Sequence, residues 1–410
     1  MPRKTAPNLT SPNFDDPLLE KVYRGIFEEL QSNLRSPSGY LKGAYAVPGG
    51  KYQRSWLWDS AFISQIWLLA NASVAKQILL THTLTQLKNG MIPHMVGPDY
   101  KSSITQPPLL TWAAWRIYEQ TEDQEFVSKI YPYLKSFNEW FYRNRDFDNN
   151  GLFSWVRPDE SGWDDSPRFD GIRKSQTGEH YPHPDLKPGE RIHPEFGNLD
   201  MRSIQALDLN CFLVVDMSNL ARMANILRLE VDEEIFKRKI ADLSQRIRSN
   251  LWSNDDNFFY DLGPKGLIKI KTPAAFLALF AEVADKNQAK ALIQHLTNEG
   301  EFWTPYPVPT VAINELKFSL KYWRGPVWVN INYLVYLALR MYGFNDLASE
   351  LSDRTIRMVA DVYNKKGCFC EFYNPFAPTY IEGFSPPKPE KNFAGWTGLV
   401  ANLLVNTYPS

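Results

Sequence analysis

Residues 321–335 read KYWRGPVWVNINYLV. The first half is an aromatic loop, with Tyr322, Trp323, Arg324 and Trp328 clustered around Gly325-Pro326. The second half is apolar on a helical period, and Pro suits a first helical turn, so a helix is predicted over 325–342. An Arg is costly to bury alone. Arg324 is therefore expected to hold a carboxylate or a ligand, the alternative being a surface-lying Arg beside two core indoles.

Helical periodicity dominates the rest of the chain. Helices are predicted near 16–33, 58–70, 73–88, 109–120, 124–144, 203–228, 231–251, 273–284, 286–298, 325–342, 346–363 and 391–406. They fall roughly into consecutive pairs. Strand-like pieces are few: 257–261, 266–270 and 367–373. Long irregular segments cover 34–57, 89–108, 145–202, 299–324 and 374–390, and long loops in a compact domain usually carry function. No linker or strict repeat divides the 410 residues. The expectation is one all-α domain over 1–410, an (α/α)6 barrel of six helix pairs with a few short strands at the pocket rim. Residues 1–15 are expected to be flexible. A solenoid would show a clearer repeat, and two helical domains would show a composition shift.

Composition narrows the function. The net charge is −1, which gives no footprint for nucleic acid or an anionic membrane. No run of about 18 apolar residues suggests a membrane span. The start, MPRKTAPNLTSPNF, has no apolar core of a secretory signal. Cys211, Cys368 and Cys370 are odd in number and make no disulfide framework, which points to the cytoplasm. The chain carries 13 Trp, 20 Tyr and 24 Phe, many of the Trp beside polar or Gly residues. Most fill core. The rest suit a cavity with aromatic walls and a polar floor, as sugar rings require.

Three further loops carry carboxylates among aromatics. In KYQRSWLWDSAF (51–62), Asp59 follows Tyr52, Trp56 and Trp58 and reads either as a helix N-cap or as part of a pocket wall. In PDESGWDDSPRFD (158–170), Asp164 and Asp165 are adjacent and Trp163 desolvates them. Both effects raise a carboxyl pKa, as a general acid needs; the alternative is an acidic turn closed by Ser166-Pro167. In GCFCEFYNPF (367–376), an extended strand would place Phe369, Glu371 and Tyr373 on one face. A carboxylate between two aromatics is costly there unless it is solvated or used. A weaker signal, RDFDNNGLF (145–153), has Asp146, Asp148, Asn150 and Gly151 spaced like half a calcium loop, but Arg157 stands where the final Glu belongs. A polar turn is the simpler reading. No phosphate loop, zinc motif or nucleophile signature appears, so neither a cofactor nor a metal is expected.

YxxxWxWDS (52–60), ESGWDDSP (160–167), YWRGPVWVNINYL (322–334) and CEFYNP (370–375) together resemble glycoside hydrolase family 63. That family includes α-glucosidases and shorter bacterial mannosylglycerate and glucosylglycerate hydrolases. The ESGWD piece is shared with family 37 trehalases, but the trehalase QWDxP pattern is absent. The matches run in order from about residue 50 to 396. The resemblance implies an (α/α)6 barrel and inverting hydrolysis of an α-glycosidic bond of a small glucoside or mannoside. It assigns Asp164 as general acid and Glu371 as general base. Tyr52, Trp56, Trp58, Asp59, Gly162, Tyr322, Trp323 and Trp328 match residues around the sugar, and Gln106 in TQPPLL a polar contact near the leaving group.

The chemistry is coherent. Inversion needs a protonated carboxyl on the leaving oxygen and an ionised one activating water opposite, about 6.5–9.5 Å apart. Only a closed barrel can bring Asp164 and Glu371 together. The glycerate-type members carry an Arg–Pro element after the acid loop. Here LDMRSIQALDLNC (199–211) keeps Arg202 as the candidate carboxylate binder and has Ser203 in place of Pro. The expected partner is a small carbohydrate, with oligomeric state left open. Two alternatives remain. A sugar epimerase on the same barrel would use His94, His180, His183 or His193 and survive Glu371→Gln. A catalytically inactive sugar-binding protein would hold the two carboxylates too far apart.

Overall fold

A computed structural model describes residues 14–171, 200–379, 381 and 392–407. The N-terminal segment expected to be flexible falls, up to residue 13, outside the described residues, as do His180, His183 and His193. Apart from a single turn at Pro158–Ser161, the described helices alternate between an outer and an inner ring. Outer helices are α1 (Pro17–Asn33), α3 (Ala72–Thr83), α5 (Gln124–Asn144), α7 (Glu230–Asn250), α9 (Lys286–Leu296) and α11 (Asn345–Lys366). Inner helices are α2 (Leu57–Leu68), α4 (Leu110–Thr121), α6 (Leu207–Ile226), α8 (Leu277–Phe280), α10 (Val329–Met341) and α12 (Val400–Thr407).

The rings differ in sequence for a packing reason. All twelve residues of α2 are buried, because an inner helix meets neighbours on every side. In α7, burial is confined to Phe236, Leu243, Ser244 and Ile247, one stripe facing the inner ring. Each inner helix touches the next, α2 to α4, α6, α8 and α10. The turn Thr397–Leu399 joins α10 to α12, which returns to α2 and closes the ring. This is the (α/α)6 barrel that the periodicity predicts. Among the described residues, no helix is long and apolar enough to cross a membrane.

Three details differ from the sequence expectation. The helix predicted over 325–342 starts only at Val329, because Val327 exchanges both backbone hydrogen bonds with Tyr373 and stays extended past Pro326. Over 273–284 a 3-10 turn, Pro273–Phe276, leads into the short α8, which stops at Glu282 in the left-handed region. Residues 367–373 form no ladder; Cys370 and Tyr373 sit in isolated bridges, that of Tyr373 to Val327. The Tyr373 hydroxyl turns back to accept from the Cys370 N–H, while Phe372 stacks on Trp328, so strict alternation of faces fails.

A small antiparallel sheet flanks the start of α2. Its strands are β1 (Ser55–Trp56), β2 (Met95–Gly97) and β3 (Tyr100–Lys101), in the order β1-β2-β3. Ser55 pairs with Val96, and Val96 with Lys101.

Candidate active site

The loops that open the inner helices converge on one cavity of about 400 Å³. Its lining includes Tyr52, Trp56, Trp58, Asp59, Gln106, Gly162, Asp164, Tyr322, Trp323 and Glu371. Ten of the twelve residues expected at the site are therefore brought together.

Two of the twelve are elsewhere. Trp328 lies one layer behind the wall: its indole stacks under Trp323 at 3.6 Å, and its Nε1–H donates to the Tyr322 carbonyl. Arg202 does not line the cavity. Its guanidinium forks onto Asp200 in its own loop, with Nε at 2.8 Å and Nη2 at 2.5 Å from the two carboxylate oxygens.

Asp59 sits inside the first turn of α2, whose N-cap is Trp56, so its carboxyl faces the cavity rather than capping the helix. The acid loop is held by several interactions. Gly162 adopts φ +76°, and a Cβ there would lie 2.5 Å from the Trp58 ring. Only glycine allows that backbone to pass so close to the indole. Asp165 accepts from the Trp323 N–H at 2.9 Å, and Arg324 grips Asp170 with two bonds of 2.8 and 2.7 Å. Arg324 thus holds a carboxylate, as expected. Glu160 accepts from the Val156 N–H and pairs with Arg145 at 2.6 Å, shaping the same loop. Asp159 lies on the cavity wall and accepts both arms of Arg157.

An aromatic column ties the acid loop to the Glu371 loop. Trp163 stacks on Trp323 at 5.2 Å, Trp323 on Trp328 at 3.6 Å, and Trp328 on Phe372 at 4.9 Å. Such pairs add about 0.5–1.5 kcal/mol each beyond their burial. The Glu371 loop is also fixed from the segment leading into α12: Trp396 Nε1–H donates to the Glu371 carbonyl at 2.9 Å, and the Thr397 hydroxyl to the Cys370 carbonyl at 2.6 Å.

Across the cavity, two phenols link the two carboxyls. Tyr52 Oη–H donates to Glu371 at 2.9 Å, and Tyr322 Oη–H contacts Asp164 at 3.4 Å. The electrostatics follow from this crowding. Burial, then the charges of Asp159, Asp165 and Glu371, push the Asp164 pKa well above the usual carboxylate range. Asp164 keeps part of its surface open to the cavity, yet enough protein surrounds it for desolvation to lead. Asp59 is pushed up well above that range by burial and then by Glu371. Burial raises Asp165 to about 6.

Sequence reasoning passed over several lining residues, Met95, Tyr100, Arg54 and Phe393, and named His94 only for the epimerase alternative. Arg54 lies inside the stretch 51–62, but nothing local in that stretch marks it as a cavity residue. The His94 ring bonds the Ser102 hydroxyl at 2.9 Å. Asp146 accepts from the N–H groups of Asn150 and Gly151, and Asp148 bonds Gln205, so 146–151 closes a polar turn on itself.

Residues 52–383 match the mannosylglycerate hydrolase MGH1-like glycoside hydrolase domain. The chain is 29% identical to a mannosylglycerate hydrolase of Thermus thermophilus, over 85% of this chain and 94% of that one. It is 25% identical to the glucosylglycerate hydrolase of Mycolicibacterium hassiacum, over 79% and 87% of the two chains. The crystal structure of a GH63 mannosylglycerate hydrolase from Thermus thermophilus with Tris and D-glycerate superposes with a TM-score of 0.78, covering 93% and 99% of the two chains at 26% identity. A neutral trehalase from Saccharomyces cerevisiae shares the fold, with a TM-score of 0.65 at 18% identity. The match to the family model takes in the cavity-lining residues from Tyr52 to Glu371, and the chain belongs to the mannosylglycerate hydrolase MGH1-like glycoside hydrolase family.

Proposed function

We propose that this enzyme hydrolyses the α-glycosidic bond of a small glucoside or mannoside with inversion at the anomeric carbon. Asp164 donates its proton to the leaving oxygen. Glu371 draws a proton from a water that attacks the opposite face of the ring. The observation that carries the reading is the placement of these two carboxyls on one cavity, each in contact with its own tyrosine. Burial and like charges keep Asp164 protonated near neutral pH, as a general acid requires. Trp58 and Trp323 give the sugar ring an apolar wall, and Asp59 and Gln106 take hydroxyl groups. The names of the relatives suggest a glycerate glycoside as substrate. The whole chain would act as one catalytic domain in the cytoplasm, where the buried thiols of Cys211, Cys368 and Cys370 stay reduced.

The test is Asp164→Asn, assayed on an oxygen-linked α-glycoside and on the matching α-glycosyl fluoride. Fluoride leaves without a proton, so it should be spared while the glycoside loses about 10²–10⁴-fold in kcat. Equal losses on both would remove Asp164 from the acid role.

A further inference from the structure

The cavity changes character along its depth. Asp59, Glu371, Trp58 and Trp323 are buried at its floor, whereas Arg54 is half-buried and Lys51 exposed at its mouth. A pocket closed at one end seats the glycosyl ring at the floor, so the leaving group faces the mouth. The group found there is a cation, and it is held in a built position. The Arg54 guanidinium lies 4.4 Å from the Tyr100 ring centroid, and its stem runs along Gly97, where a Cβ would come within 3.3–3.5 Å of Nε, Cδ and Cγ. The contact resolved for its Nη1 is a long one of 4.0 Å to the Met95 sulfur. Among the described residues, it has no carboxylate within ion-pair distance. Arg202, the cation expected to bind a carboxylate, is already engaged by Asp200.

We propose that Arg54 is the specificity-determining residue for the leaving group, and that it accepts a small anionic substituent on the aglycone. The inference rests on the proposed hydrolysis and deepens it. A guanidinium supplies parallel N–H donors that match a carboxylate or a phosphate, and a stacked, pre-oriented one loses little freedom on binding. Glu371 at the floor is the ionised base in the proposed reaction, and a cation at the mouth offsets its repulsion of an anionic aglycone.

Three α-glycosides on one three-carbon frame test this: the glycerate, the glycerol phosphate and the neutral glycerol. In the wild type, kcat/KM should favour an anionic member over glycerol; which one wins separates a carboxylate site from a phosphate site. In Arg54→Gln, the ratio of anionic to neutral kcat/KM should fall about 10- to 100-fold. Arg54→Lys should restore part of it, and Arg202→Gln should leave the ratio where it was. A ratio is insensitive to any fraction of a variant that fails to fold. Three outcomes would overturn the proposal: no anion preference in the wild type, a ratio unmoved in Arg54→Gln, or a ratio that collapses in Arg202→Gln instead. The hydrolysis reading fails separately, if the wild type cleaves neither these glycosides nor the glycosyl fluorides.

Discussion

Two groups of buried carboxylates lie at the same end of the barrel and are built on opposite rules. Behind the acid loop, Arg168 bonds Asp208 at 2.7 Å and Asp261 at 3.2 Å, and all three are almost fully buried. Asp208 also accepts from Trp155 Nε1–H, and Asp261 from the Leu207 N–H. In the cavity, Asp59 and Asp164 have no Arg or Lys within ion-pair distance among the described residues, and the Asp164 side chain meets a phenol at 3.4 Å. A buried carboxylate gripped by a guanidinium and by backbone or indole N–H donors is locked in place and fixes structure. A buried carboxyl surrounded by rings and other carboxyls holds its proton and can give it up in a reaction. The partners, not the burial, separate the two.

The largest expected effect is at Glu371. Glu371→Gln should lower turnover about 10²–10⁴-fold on every substrate while ligand binding and thermal stability are retained, as read by kcat, calorimetry and a melting curve. Retained turnover would move the base elsewhere. Next is the structural group. Arg168→Met leaves Asp208 and Asp261 facing each other unpaired, and denaturant unfolding should show a loss of about 3–5 kcal/mol. A loss under about 1 kcal/mol would erase the distinction between the two groups.

A smaller effect concerns pH. The acid must be protonated, so kcat falls as pH rises through the Asp164 pKa. Asp159 is the leading charge holding that pKa up. Asp159→Asn removes the charge and leaves Arg157 without its carboxylate, and both changes lower the Asp164 pKa. The basic limb of the kcat profile should therefore move to lower pH, by about half a unit to one unit. A limb that stays in place would show that Arg157 already neutralises Asp159. Smallest is Gly162→Ala. With φ at +76° and the Trp58 ring in the way, it should cost about 1–2 kcal/mol of stability and raise KM as the indole is displaced. An unchanged KM would mean that Trp58 does not set the sugar position.

The outer helices were legible because α1, α5 and α11 bury one stripe with a 3.6-residue period, and the inner α2 and α10 because they are long apolar runs. The sheet beside the cavity was not. Strands of two or three residues such as Ser55–Trp56 and Tyr100–Lys101 carry no period-2 signal. At 367–373 an alternating pattern suggested a strand, but the chain there is spent on tertiary contacts: Tyr52 to Glu371, Trp396 to its carbonyl and Phe372 to Trp328. Asp164 and Glu371 stood out as carboxylates among aromatics. Trp328 and Arg202 show the limit of such reading. An indole near Trp323 in sequence can line a wall or back it, and an Arg two residues from an Asp can reach a ligand or that Asp. Arg54 was hidden for the converse reason. Its place at the mouth depends on a sheet contact with Gly97 and Tyr100 that no local pattern encodes.

The most direct measurement follows the first sugar released from an α-linked substrate by proton NMR, before mutarotation mixes the anomers. Asp164 and Glu371 acting as acid and base on a single displacement predict the β-anomer first. Release of the α-anomer first would mean two displacements, and would contradict the proposed roles of both carboxyls.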